Sequence, residues 1–131
     1  MGSHSAVTRV QDEWSRCKAW IEAAANEAPW PDTIEQIEQK IERGVLQFWP
    51  GEKAAAVTEI AEINGSKIMF LVLAGGDMTE LVTCIEPALC RVAVEMGCSH
   101  IANMGREGWK RVCKPLGYSF AYVLMTKRLD R

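Results

Sequence analysis

The chain has 131 residues, 48% apolar and 24% charged, the composition of a folded globular protein and not of a disordered or fibrous one. At this length one domain with one ordinary core suffices, burying roughly two-thirds of the surface its unfolded chain would expose. A formal net charge of −2 argues against general steering toward nucleic acid or an anionic membrane, so only a local basic patch would serve that role.

The five cysteines, Cys17, Cys84, Cys90, Cys98 and Cys113, form no C-x-x-C pair, and histidine is limited to His4 and His100. Neither a disulfide framework nor a zinc site follows, and no metal is expected. Most of these thiols sit among apolar neighbours, where cysteine acts as a small hydrophobe. The expected compartment is a reducing cytosol. No apolar run reaches the roughly 20 residues that cross a bilayer, and the start lacks the apolar core of a signal peptide.

The opening MGSHS reads as an expression-vector remnant, which leaves a single domain over residues 6–131 and gives His4 no role. Thr8 with Gln11 matches a capping box, and Val10, Trp14, Cys17 and Ile21 recur at helical spacing, predicting a helix over about residues 9–27. Pro29 and Pro31 interrupt the chain. Asp32 with Glu35 repeats the capping signal before the apolar stripe Ile34, Ile37 and Ile41, which stops at Gly44. This second helix carries Glu35, Glu38 and Glu42 on a solvated face or against a basic partner.

Three β-prone runs follow, GVLQFWPGE, AAAVTEIAEI and SKIMFLVLAG, separated by Pro50-Gly51 and Asn64-Gly65. Asn-Gly between two such runs is a strong hairpin signal, because both residues tolerate the positive φ of a type I′ turn. The runs predict an antiparallel meander. The last is apolar at every position over residues 68–73, so both of its faces need a helical cover. Asp77 with Glu80 caps a helical stretch running to Met96, which Pro87 must kink or restart. Residues 99–104 then read as a short strand, 106–116 as a helix and 118–126 as a closing strand. The class is α+β, a single domain with a mixed, mostly antiparallel sheet covered by helices on both faces.

This order resembles a GNAT-type (Gcn5-related) N-acetyltransferase domain over nearly the whole chain, and the segment KPLGYSF is similar to the Gly-aromatic turn before that family's last strands. L-A-G-G-D together with G-R-E-G-W is also similar to small GNAT-like proteins of bacteriophages, some of them virion-associated. The resemblance implies an acetyl-CoA-dependent N-acetyltransferase whose acceptor is an amine-bearing small molecule or protein. It equally allows a non-catalytic protein that keeps the fold and binds a phage or host protein, in the host cytoplasm or the virion. A homo-oligomer fits either reading, and nucleic acid neither.

Carried over by resemblance, the coenzyme turn falls on Leu73, Ala74, Gly75, Gly76 and Asp77, with Arg106 as a cation from elsewhere. A pyrophosphate there needs free backbone N–H groups at a helix start, close approach through glycine and usually a cation. Two glycines permit the approach and predict a groove beside Leu73 and Ala74, floored by Gly75 and Gly76. Asp77, however, offers its own carboxylate to the same N–H groups, and residues 68–90 contain no Lys or Arg. Weak or absent acetyl-CoA binding is the expectation, with a self-capped tight turn as the bland alternative.

The family's leaving-thiolate acid maps onto Cys113, and Tyr118 is a second acid; Glu59 and Glu62 are the strand carboxylates that the family pattern would use as general base. Each has an ordinary packing or surface role as its alternative. Arg106, Lys110 and Lys114 form a basic stripe with Arg111 at its edge, suited to phosphate, to an acidic protein surface or simply to water. Trp30 and Trp49, each beside a proline, are candidates for exposed interface residues.

Overall fold

A computed structural model of the chain describes residues 3–27, 31–104, 108–119, 121, 125–127 and 129. Its elements are α1 (Ser3–Glu27), α2 (Ile34–Glu42), β1 (Gln47–Pro50), β2 (Ala54–Ile63), β3 (Ser66–Gly76), α3 (Met78–Glu80), a π-helical turn (Leu81–Ile85), α4 (Glu86–Glu95), β4 (His100–Asn103), α5 (Trp109–Cys113) and a 3₁₀ turn (Lys114–Leu116). Helix α1 begins before the Thr8–Gln11 pattern, which lies inside it.

Helix α2 is capped one residue later than its sequence suggests. Thr33 accepts from the Gln36 N–H while the Gln36 side chain accepts from the Thr33 N–H, at 3.2 and 2.8 Å. Asp32 is drawn off instead to the Lys40 ammonium at 2.6 Å. Both pairs fit the capping pattern, and only the Thr33 pair satisfies two orphan donors reciprocally.

The sheet has the order β1-β2-β3-β4, with the first two pairings antiparallel and β3–β4 parallel. Asn64 and Gly65 turn the β2–β3 hairpin at φ of 51° and 81°, the two positive values that a type I′ turn requires. One register irregularity matters. Val57 faces Leu73 while Thr58 faces Leu71, so Val72 is an extra residue in β3. This bulge directs both Val72 and Leu73 into the same core and returns Ala74 to the opposite face.

The sheet is covered on both faces, as the all-apolar β3 requires. On one face Trp14, Cys17 and Ile21 of α1 and Ile34 and Ile37 of α2 pack over Ala55, Val57 and Val72. On the other, Leu81, Ile85, Leu89 and Ala93 pack over Ala54, Ala56 and Met69. Trp49 belongs to this second core and donates its Nε1–H to Thr58 at 2.8 Å. It is therefore half-buried packing and not an exposed interface residue, whereas Trp30 lies outside the described residues.

Pro87 acts as its chemistry dictates. Lacking an N–H, it leaves the preceding turn without an ordinary donor, and the Glu86 N–H reaches back five residues to the Leu81 carbonyl, closing the π turn. Helix α4 restarts there with proline in its first turn. Val82, Glu86 and Cys90 then recur every four residues along one side of the helical run, beside its sheet-facing row. At the C-terminal end, Arg106 lies outside the described residues, α5 starts at Trp109, and Gly117 closes the following turn at φ 95°. Of the expected closing strand, Phe120, Tyr122, Val123 and Leu124 are likewise outside the described residues, and its described residues belong to no strand.

Candidate active site

The glycine turn after β3 is closed, not open. A Cβ on Gly75 would lie 2.3 Å from the Trp20 carbonyl oxygen, and one on Gly76 would lie 2.4 Å from the Lys53 carbonyl oxygen. Each glycine has another backbone running against its Cβ side, and neither is among the residues lining the cleft between α4 and α5. Two of the local donors are also occupied. The Asp77 N–H donates to the Lys53 carbonyl at 2.8 Å, and the Asp77 carboxylate accepts from the Glu80 N–H at 2.9 Å. The Glu80 carboxylate in turn accepts from the Glu52 and Lys53 N–H groups at 2.9 and 2.5 Å. The Asp77 carboxylate therefore takes a backbone donor at the helix start, while Glu80 ties the turn to the β1–β2 connection.

The opening in the fold lies on the other edge of β3. Pairing between β3 and β4 runs from Ile68↔His100 to Leu71↔Asn103 and stops there. Directly beyond comes the Val72 bulge, so β3 turns away from β4 as the bulge increases its twist. Residues 73–76 of β3 remain paired only with β2 among the described residues. The strands thus fork, leaving a short stretch of the β3 edge without a strand partner among the described residues.

A narrow cleft opens at this fork. Leu71, Ala74 and Ala56 floor it, Leu81, Ile85 and Leu89 form one wall, and Trp109, Val112 and Leu116 form the other. Its cavity volume of about 20 Å³ holds about one ordered water. Four polar groups line it: Glu86, Asn103, Cys113 and Tyr118. They are already coupled. The Tyr118 hydroxyl donates to Glu86 Oε2 at 2.9 Å, the Cys90 thiol donates to the same oxygen at 3.1 Å, and Asn103 Nδ2 donates to Cys113 Sγ at 3.2 Å.

Burial and a carboxylate neighbour set the proton affinities. Burial pushes the Tyr118 phenol far above its ordinary value, and the hydrogen bond to Glu86 pushes in the same direction. The Cys90 thiol is raised to about 11, first by burial and then by Glu86. Burial also raises Cys113, against the opposing effect of the Asn103 donor. All three groups therefore hold their protons at neutral pH.

The sequence-derived site residues separate into two sets. Cys113 and Tyr118 meet in the cleft with Leu71 and Ala74 of β3. Glu59 and Glu62 do not join them. Glu59 pairs with Phe70, whose ring packs in the α1/α2 core, so it lies on the face opposite the cleft. Glu62 is exposed near the hairpin turn, paired with Lys67. Leu73 is buried under α1 and α2. Glu86 and Asn103 were missed. Glu86 reads in sequence as an ordinary surface position before a proline, and its one legible signal is the spacing of four residues from Val82 and Cys90.

No family model and no curated protein sequence matches the chain. Solved structures do match. An aminoglycoside N-acetyltransferase in complex with CoA superimposes with a TM-score of 0.65 at 15% identity, covering 90% of this chain and 87% of that one. An acetyltransferase of Trypanosoma brucei gives 0.58 at 14% identity, covering 83% and 89%. A predicted acetyltransferase of Clostridium acetobutylicum with acetyl-CoA gives 0.58 at 13%, covering 72% and 71%. These superpositions show that the chain has the GNAT-like fold that the order of its elements led us to expect.

Proposed function

We propose that the protein is an N-acyltransferase that takes its acyl group from acetyl-CoA and passes it to an amine at the β3–β4 fork. One observation carries this reading: past Leu71 the edge of β3 has no β4 partner among the described residues, and Leu71 and Ala74 on either side of that break line an apolar cleft that also holds Glu86, Cys113 and Tyr118. An extended chain bearing amides, such as the pantetheine arm of CoA, adds to a strand edge through main-chain hydrogen bonds. The thioester then lies over Leu71 and Ala74, within the reach of Tyr118 and Cys113. Structural neighbours that hold CoA or acetyl-CoA support the same ligand here.

The coenzyme's pyrophosphate finds a poor partner in the Asp77 turn, so the strand edge supplies most of the affinity. Titration calorimetry with acetyl-CoA at low salt tests the proposal. Binding in the micromolar range, about 8 kcal/mol, is expected, whereas absence of heat with a folded protein overturns it.

The second reading is a non-catalytic interaction protein, with the phage or host protein of the sequence analysis as its partner. The Asp77 carboxylate, already seated on the Glu80 N–H at the start of the helix that follows the glycine turn, favours it. The same titration separates the two.

A further inference from the structure

We infer that Glu86 acts through Tyr118 as the terminal proton acceptor of the transfer reaction, forming a two-residue relay that the strand carboxylates Glu59 and Glu62 cannot provide. The inference rests on the acyltransferase reading. Three observations carry it. The Tyr118 hydroxyl donates to Glu86 Oε2 at 2.9 Å, so its proton already points at the carboxylate and an oxygen lone pair is left for another donor. Glu86 stands on α4 and Tyr118 follows Gly117, so the pair closes the cleft between two walls that sequence places 32 positions apart. The Cys90 thiol donates to the same Oε2 at 3.1 Å, which fixes the carboxylate rotamer from within its own helix.

The step balances. As the nitrogen of a neutral amine bonds to the thioester carbon, its proton passes to Tyr118 Oη while the phenolic proton passes to Glu86 Oε2. When the C–S bond breaks, the proton returns from Glu86 through Tyr118 to the departing thiolate. The amide and free CoA thiol are released, and both side chains end as they began. Tyr118 touches the reacting atoms; Glu86 is a positioning residue that acts through it. The titratable groups facing the pair are Cys90 from α4 and Cys113 from α5, with the Asn103 amide from β4 beside them.

The test uses the full chain as wild type, Glu86→Gln, Tyr118→Phe and the double variant. Phenolate absorbance at 295 nm, followed with rising pH, reads the dyad without turnover; the transition lost in Tyr118→Phe identifies Tyr118. Glu86→Gln is expected to move that transition to lower pH, and an unmoved transition overturns the relay.

Acetyl transfer from acetyl-CoA to Nα-acetyl-lysine and glucosamine as probe amines, read by mass spectrometry, supplies the second measurement. Each single variant should lose about 100-fold in kcat with the KM for acetyl-CoA unchanged, and the double variant should lose no more than the larger single loss. Additive losses, or full activity in either single variant, overturn the relay. A wild type that binds acetyl-CoA by calorimetry but transfers to neither amine overturns the relay and leaves the coenzyme reading standing. No binding overturns both.

Discussion

Replacing Gly75 by alanine tests whether the glycine turn is built for packing or for a phosphate. The added methyl would lie 2.3 Å from the Trp20 carbonyl oxygen and 2.9 Å from its carbon. Carbon–oxygen contacts settle at about 3.3 Å or beyond, so α1 and β3 must separate by about 1 Å, and the Trp14, Cys17 and Ile21 core loosens with them. Overpacking of this kind costs about 2–3 kcal/mol. At this chain length that lowers the thermal midpoint by about 6–12 °C.

Gly44 supplies the control, because its φ of +78° is left-handed but nothing lies within 4 Å of its Cβ position. Gly44→Ala should cost about 1 kcal/mol through backbone strain alone. Urea unfolding followed by tryptophan fluorescence and far-UV circular dichroism, without any ligand, reads both. If Gly75→Ala proves no less stable than Gly44→Ala, the close approach of α1 is wrong and the turn is free to receive a ligand.

Other perturbations follow from the same contacts. Glu80→Gln weakens two charge-assisted hydrogen bonds to the Glu52 and Lys53 N–H groups; a loss of about 1 kcal/mol with faster amide exchange at residues 52 and 53 is expected, and unchanged exchange contradicts the clamp. Among the thiols, Cys84 is exposed while Cys17 and Cys113 are buried, so a thiol reagent should modify Cys84 first and reach the buried pair only on unfolding; equal rates at Cys84 and Cys113 refute this burial. The raised Cys90 thiol, about 11 against an ordinary 9.0, means that above pH 9 the native state keeps a proton the unfolded chain releases. Its contribution to stability is complete below about pH 9 and is lost as pH rises toward about 11. Tyr118 adds to the same fall at higher pH. Thermal midpoints should therefore drop more steeply over this window in the wild type than in Glu86→Gln, and a parallel drop counts against the coupling.

Much of the fold was legible because local chemistry decided it. Asn64-Gly65 specified the hairpin, the unbroken apolar run of β3 required helices on both faces, and Pro87 restarted the helix where a backbone donor was missing. The second cap was misplaced because Asp32/Glu35 and Thr33/Gln36 satisfy the same pattern one residue apart. Only the geometry of the Lys40 ion pair separates them.

The site was less legible. Cys113 and Tyr118 were found through the Gly-aromatic turn that they flank, but Glu86 comes from α4 and Asn103 from β4, and packing alone brings them to that turn. Gly75 and Gly76 carried the opposite error. Glycine records a close approach without naming what approaches, and here it is the backbone of α1 and of the β1–β2 connection.

The central claim is that acetyl-CoA occupies the free edge of β3 at the fork. Amide hydrogen exchange of the full chain with and without saturating acetyl-CoA tests it most directly, because residues 72–74 have no β4 partner among the described residues. The account predicts ligand-induced protection centred on residues 72–74 and extending to Asn103 and the walls of the cleft. Protection confined to the turn at residues 77–80, or no change at the fork while calorimetry reports binding, would contradict it.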